Sequence, residues 1–361
     1  MASASRQDRL YPTDRERARR LWHLLEPIHA VAYFSPEPLA AYAEAGTKGF
    51  WMGYVASRAA PLGTVTAAPV VALFANFHPR RIGRALPEAW NLTSPEAMLA
   101  ARRSGSAAAL RRIWSTDGSG PGIDDSTLEW LADQLSDLGE GAPVDGRGLF
   151  AANLTVDRTG EPIEDLWRGA TLLREHRGDG HIAAYVTEGL TGIQASLLQV
   201  GVGRIPAETL RSARAWEPEE WQREILVLAG MELLDENGQA TMLGQDTLLR
   251  VEAATDRAAW GAFAHRDPAD LDRLEQALGP LADAIQRSGE VPDAMRFIVS
   301  GSIQLTATAE DGSEVVAATI DEGSYLGQTT LTRQTVIGSG YAVGEVTVVH
   351  IAREQIEEVV H

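Results

Sequence analysis

The chain has 361 residues, long enough for two or three domains with their own cores, which excludes a peptide or a disulfide-stapled mini-domain. Lys+Arg 32 against Asp+Glu 50 leaves a formal net charge of −18, a field that repels phosphate backbones wherever no local basic stripe overrides it. The absence of cysteine excludes disulfides, thiolate metal sites, iron–sulfur clusters and a Cys nucleophile.

The N-terminal stretch has no apolar signal region, and no run approaches the eighteen apolar residues of a membrane span. The expectation is a cytoplasmic protein with no membrane partner. Residues 1–15 are polar and aperiodic and read as a flexible tail. From Glu16 the spacing becomes helical, with Leu21, Trp22, Leu24, Leu25 and Ile28 on one stripe and Pro27 expected to kink or end the helix. Further helices are predicted around 37–45, 50–59, 69–76, 79–89, 94–115 and 125–138. Gly139–Gly148, with four glycines and a proline, reads as a connection. The helical domain 16–205 thus divides into halves, 16–138 and 149–205. Ala72 to Glu88 can be laid over Leu172 to Glu188 at an offset of 100, either as a duplication or as two similar Ala/Leu-rich stretches.

Residues 206–288 change character. A short helix from Pro206 leads to one starting at Glu217-Pro218, with Trp221, Ile225, Leu226 and Leu228 on its apolar side. Asn237-Gly238 then supplies the positive φ of a tight hairpin turn, Thr241 caps a long helix, and a last helix, Asp267 to Arg287, is expected to pack on this module. The order of two helices, hairpin and long helix resembles the winged helix of MarR-like regulators, with Thr241-Met242-Leu243-Gly244 where they commonly have Leu-Thr-x-x-Gly. Pro206–Gly230 holds three basic and five acidic residues, so DNA recognition by the helix after Glu217 is disfavoured. From about Gly289 the chain becomes β, with strands expected over 296–305, 315–320 and 341–351.

The densest cluster of reactive side chains is Glu175-His176-Arg177-Gly178-Asp179-Gly180-His181. Its imidazoles, carboxylates and guanidinium offer metal ligands, acid/base groups or an anion clamp. Shared metal ligation by His176 and His181 requires the glycines to break the helix, because i,i+5 positions splay on a regular one. His29 and His78 sit in apolar-aromatic segments and, if the halves pack together, face the same cavity as the cluster. The bland alternative is an interhelical knot of ion pairs.

Residues 16 to about 287 carry Leu24-Leu25-Glu26-Pro27-Ile28-His29-Ala30-Val31, Gly49-Phe50-Trp51-Met52-Gly53-Tyr54, Arg58-Ala59-Ala60-Pro61-Leu62-Gly63 and Leu173-Arg174-Glu175-His176-Arg177-Gly178-Asp179-Gly180-His181. In these the chain resembles an uncharacterised actinobacterial family of helical proteins with a winged-helix-like part, a resemblance that implies no particular reaction. Residues 289–361 resemble part of a cyclic-nucleotide-binding domain. Val299-Ser300-Gly301-Ser302 is similar to its glycine-containing strand, and Glu322 to Leu331 to its phosphate cassette. The resemblance implies a degenerate cassette at Gly327, Gln328 and Arg333. Gln328 replaces the ribose-binding glutamate, and Val336 stands where the phosphate-binding arginine is expected. An incomplete barrel leaves edges to pair, which leaves open a second copy or a partner chain on those edges, or a β segment joined by an artefactual gene fusion.

The expected architecture is therefore mainly α with a winged-helix-like module and a C-terminal antiparallel β segment. The expected function is that of a ligand-binding, regulator-like protein with a pocket between the helical halves, formed by His29, His78, Glu175, His176, Arg177, Asp179 and His181. One alternative is a metal-dependent enzyme holding its ion at His176 and His181, with Asp179 or Glu175 as general base; another is a scaffold without small-molecule chemistry.

Overall fold

The computed structural model describes residues 12–115, 122–205, 207–289, 291, 294–308, 314–321, 325–326 and 340–352. Helix α1 (Pro12–Phe34) continues unbroken past Pro27. An internal proline costs a helix about 3 kcal/mol. Leu25, Ile28 and Val31 are buried around it, and each contributes about 1.5–3 kcal/mol, which outweighs the lost hydrogen bond.

A set of helices follows: α2 (Pro36–Glu44), α3 (Gly49–Ala59), α4 (Ala67–Leu73), α5 (Pro79–Gly83), α6 (Ala89–Leu92) and α7 (Pro95–Ser115). They enclose Tyr42, Val55, Val70, Phe74, Phe77, Ile82 and Met98. The helix expected over 79–89 stops at Gly83 because Pro87 disfavours helical geometry at Leu86 and has no N–H to give. Helix α8 (Asp125–Glu140) begins where the Asp124 carboxylate accepts from the Thr127 N–H, and α9 (Gly148–Leu154) follows the glycine-rich connection.

The axis of the molecule is α10 (Pro162–Thr187), which packs on α1, α7, α8 and α9. It stays helical through Gly178 and Gly180. The role of Gly180 is close approach: a Cβ there would lie 2.7 Å from Arg147 Nη1 and 3.1 Å from the Ala258 Cβ. Gly169 likewise admits α8, since a Cβ would stand 2.5 Å from the Leu135 Cβ.

Helix α11 (Gly192–Gly201) opens with a capping box between Thr191 and Gln194 and leads to α12 (Ala207–Arg214) and α13 (Pro218–Gly230). The hairpin is minimal, a single bridge of Leu234 to Ala240. Its turn is held by the Asp235 carboxylate, which accepts from the Asn237 and Gln239 N–H groups, with Gly238 at φ 77°. Thr241 then caps α14 (Met242–Trp260). Leu197, Leu198, Trp221, Leu228, Leu233, Leu234 and Val251 form the core of this module, and α14 also lies along α10 and α1.

The last helix, α15 (Pro268–Ser288), departs from expectation. It packs chiefly on α1, α7 and α8, and among the described residues only Trp260 of α14, from the module before it, lies against the core it joins. Leu271, Leu274, Leu278, Leu281 and Ile285 join the core of Leu21, Leu25 and Ile28. Arg17 reaches Asp272 and Glu275, and Trp114 Nε1 donates to the Leu281 carbonyl. Beyond it β1 (Ala294–Thr308) pairs antiparallel with β2 (Glu314–Asp321), β3 (Tyr325–Leu326) and β4 (Gly340–Ala352), and the β1–β4 register shifts on both sides of Ser300. The cassette positions Gly327, Gln328 and Arg333 lie outside the described residues.

Candidate functional site

Side chains from α1, α3, α7, α10 and α12 build a buried polar centre. Arg58 Nε and Nη2 donate to the two carboxylate oxygens of Glu175, both at 3.1 Å, while the Arg58 guanidinium lies 4.3 Å over the Phe74 ring. Arg174 donates to Glu175 at 2.9 Å and to Glu26 at 3.3 Å. Burial alone would raise the Glu175 pKa, but Arg58 and Arg174 outweigh it and hold the carboxyl well below the usual carboxylate range. Burial likewise works against the Arg58 charge, and Glu175 reverses it. Tyr54 shows the same contest. Burial would raise its pKa, yet the surrounding Arg58, Arg214 and Arg174 lower it. Arg214, from the winged-helix side, bonds the Tyr54 hydroxyl and covers Phe77 at 4.1 Å.

Next to this lies a second polar chain. Arg102 Nη2 donates to the Tyr33 hydroxyl at 3.2 Å, Tyr33 meets His29 Nε2 at 3.1 Å, and His29 Nδ1 meets Thr171 Oγ1 at 3.0 Å. Tyr33 already accepts from Arg102, so its proton goes to Nε2, and Nδ1 is then the donor to Thr171. Burial, reinforced by Arg174, holds the His29 pKa well below its ordinary value, and the ring is neutral. Arg102 and Thr171 border a crevice between α7 and α9–α10, lined also by Leu99, Asn153, Trp167 and Leu172.

The expected site residues divide among several surfaces of α10 and its neighbours. Glu175 and His29 belong to the buried centre. His78 caps α5 by accepting from the Arg80 N–H, and its Nε2 meets Glu220 at 3.1 Å on α13, with Trp216 edge-on. His176 packs edge-on against Phe150, and its pKa is pushed down to about 3 by burial and by Arg147. Arg177 donates to Asp256 at 3.1 Å and covers Trp22 at 4.1 Å. Asp179 accepts from the Phe150 N–H at 2.9 Å, and burial raises its pKa. His181 meets Thr255 Oγ1 at 2.9 Å, and burial lowers its pKa.

The metal expectation needs correcting. Because α10 is unbroken, His176 and His181 leave it about 140° apart and do not face a common ion. Among the described residues no group of three or more His, Asp or Glu side chains is placed to hold a metal. The shared cavity for four histidines is corrected for the same reason, since each ring has its own partner on a different surface.

Arg58, Arg102, Arg214, Tyr33 and Thr171 were missed by sequence reasoning. The available signal was a lone guanidinium in an apolar helix, as in Gly49–Ala59, where Arg58 follows Trp51, Tyr54 and Val55. An arginine there must be paired or stacked.

The described part of the molecule is thus a helical body joined to a module of three helices, α12 to α14, with a one-bridge hairpin before the third. A model of a helix-turn-helix family matches residues 18–292, well over half of the sequence, and the chain belongs to that family. A model of the cyclic nucleotide-binding domain matches residues 281–361. Together the two matches suggest a ligand-responsive regulator. No curated protein and no solved structure matches the chain. Among the described residues no helix is long and apolar enough to cross a membrane.

Proposed function

We propose that the protein is a ligand-binding, regulator-like protein in which a small molecule held between the helical halves acts on the winged-helix module through α10. One observation carries this reading: α10 borders the crevice with Trp167 and Thr171 and, within about three turns of Thr171, grips α14 through Arg177 and His181. The MarR-like order of helices and hairpin supports the regulator class. His29 and Glu175 then belong to the sensing side. Arg177, His181 and His78 form the seams with the module, and His176 and Asp179 anchor α9.

The output does not read a DNA groove through α13. Its outward face carries Leu226, 64% exposed, and Val227, and it opens on exposed Glu217 and Glu219, where a groove-facing helix needs cations and hydrogen-bond donors. The test is native mass spectrometry of the purified chain together with titration of nonspecific duplex DNA at low salt, which maximises phosphate attraction. A co-purified small molecule and no DNA binding are expected. A protein that emerges empty, and whose His181→Ala variant keeps every measured property, is a scaffold and sinks the reading.

A second reading is favoured by the match over residues 281–361: the effector is a cyclic nucleotide. Against it stand Gln328 and Val336 in place of the residues that hold ribose and phosphate, and the missing guanidinium removes the principal charge-assisted contact. Saturable binding of cyclic AMP or cyclic GMP would establish this reading, and its absence would leave the crevice as the site.

A further inference from the structure

Arg214 is the last residue of α12 and reaches from the module to the helical body. Its carbonyl accepts from the His78 N–H at 2.9 Å, its guanidinium lies 4.1 Å over the Phe77 ring, and it meets the Tyr54 hydroxyl of α3. The next residue, Ala215, takes φ 63°, a left-handed conformation that is costly for any residue with a Cβ and persists only where the surroundings enforce it. Arg214 therefore has little freedom to seek another partner. Among the described residues it makes no ion pair, and its buried Nε has no hydrogen-bond partner. The charge around it does not close either. Arg58 and Arg174 share Glu175, and Arg174 also reaches Glu26, so with Arg214 three guanidiniums face two carboxylates. The Tyr54 hydroxyl accepts from Arg214, and the described residues give its own proton no acceptor.

These groups are not sealed in. Tyr54 and Arg214 are half-buried, with surface left open to solvent, and Arg174 keeps 21% of its side chain exposed. Yet burial is the largest single influence on the charge of all three. Crowded by protein and still touching water, they line a recess that opens to solvent and not an interior void. Phe50 and Trp51, also half-buried, stand beside Tyr54 on α3, with ring centroids 6.1 Å and 5.7 Å from its own. Such a recess, walled by apolar rings and lined by excess cations, stabilises negative charge. The lowered pKa of Tyr54 reports that field at the hydroxyl itself.

We propose that the recess between α3, α10 and α12 binds a small oxyanion, a carboxylate or phosphoryl group, that accepts from the Tyr54 hydroxyl and pairs with Arg214. The shortfall of one charge matches a monoanion, so a carboxylate is the first expectation. The site shares no residue with the crevice between α7 and α10, and binding there requires neither that crevice nor the regulator reading. Tyr54 belongs to the helical body and Arg214 to the module, so the anion would fasten one to the other.

The full chain is titrated calorimetrically at pH 7 and constant ionic strength with sodium acetate and, separately, with inorganic phosphate, sodium chloride serving as the reference salt. Saturable one-to-one binding is expected, weakened at least about tenfold in Arg214→Met, the loss expected for a charge-assisted hydrogen-bonded contact. Tyr54→Phe keeps the ring and removes the donor. It should weaken binding too, and it carries the test if Arg214→Met does not fold. The anion should also raise the melting temperature of the parent but not of Arg214→Met, whereas an arginine that only holds α12 in place predicts the same rise in both. Tighter acetate assigns the group as a carboxylate and tighter phosphate as a phosphoryl group, and either upholds the site. No saturable binding of either anion, or binding unchanged in both variants, overturns the proposal. So does a Tyr54 already ionised at pH 7 in the free protein, seen as phenolate absorbance that Tyr54→Phe lacks, because the phenolate is then the missing counter-charge. Binding through Tyr54 and Arg214 that leaves hydrogen exchange in α13 and α14 unaltered upholds the site and counts against the regulator reading. A co-purified small molecule in the crevice, with no oxyanion bound at Tyr54 and Arg214, does the reverse.

Discussion

Arg58 and Glu175, 117 residues apart in sequence, meet in a buried fork of two hydrogen bonds, each 3.1 Å long. The fork ties α3 to α10 with little help from solvent, because the Glu175 side chain is almost wholly enclosed. Removing one partner of such a pair leaves an uncompensated buried charge and costs about 3–5 kcal/mol. Glu175→Gln should therefore lose that much in urea denaturation. Arg58→Met combined with Glu175→Leu should regain a good part of it, and a double variant as unstable as the single would argue against charge burial as the cause.

The pH dependence follows from histidines kept neutral by burial. His29, His176 and His181 all have lowered pKa values in the folded chain, that of His176 about 3. Below the unfolded value of about 6.5 the unfolded chain binds protons that the folded chain does not, so stability is complete above that pH and falls as the pH drops. Each such group contributes a slope of about 1.4 kcal/mol per pH unit. For His176 the loss continues until pH approaches 3. Denaturant midpoints measured from pH 7 to pH 4 should show this decline, and His176→Gln should reduce its slope by about one histidine's worth.

Three glycines of α10 separate close packing from helix propensity. A Cβ at Gly169 would meet the Leu135 Cβ at 2.5 Å and its backbone carbon at 2.8 Å, so Gly169→Ala should destabilise by about 1–3 kcal/mol. At Gly178 the nearest atoms are 3.6 Å away, and Gly178→Ala should stabilise by about 0.5–1 kcal/mol. Gly180 lies between these cases, because the Arg147 side-chain end can give way. Thermal melts of the three alanine variants should fall in that order.

His78 combines two jobs that substitution can part. Asn keeps an acceptor for the Arg80 N–H at the start of α5 but does not reproduce the reach to Glu220, whereas Ala loses both. His78→Ala should be less stable than His78→Asn by about 1 kcal/mol, the usual worth of a cap. Equal stability of the two would place the energetic weight of His78 in the seam with α13.

Most helices could be read from spacing alone, and so could the Asn237-Gly238 turn, because their causes are local. The continuation of α1 through Pro27 could not, since it depends on which neighbours bury Leu25 and Ile28. The same holds for α15. Its stripe of Leu271, Leu274, Leu278 and Leu281 declared a buried face but not against what. The reactive cluster at 175–181 was visible as composition. Its dispersal around an intact helix was not, because Gly180 serves Arg147 and α14 instead of a turn. Arg102 was the least legible residue of all, an arginine in an arginine-rich sequence until Trp167 and Tyr33 enclose it.

The return of α15 to α1 has a consequence for how the chain can be cut. The first and last helices of the family region act as a clasp, and Val291, already past α15, is still buried among their side chains. A fragment ending before Pro268 would strip the cover from Leu21, Leu25 and Ile28 and aggregate, however intact its winged helix. A viable truncation keeps the clasp shut, so the smallest independent unit extends to the threshold of the β segment.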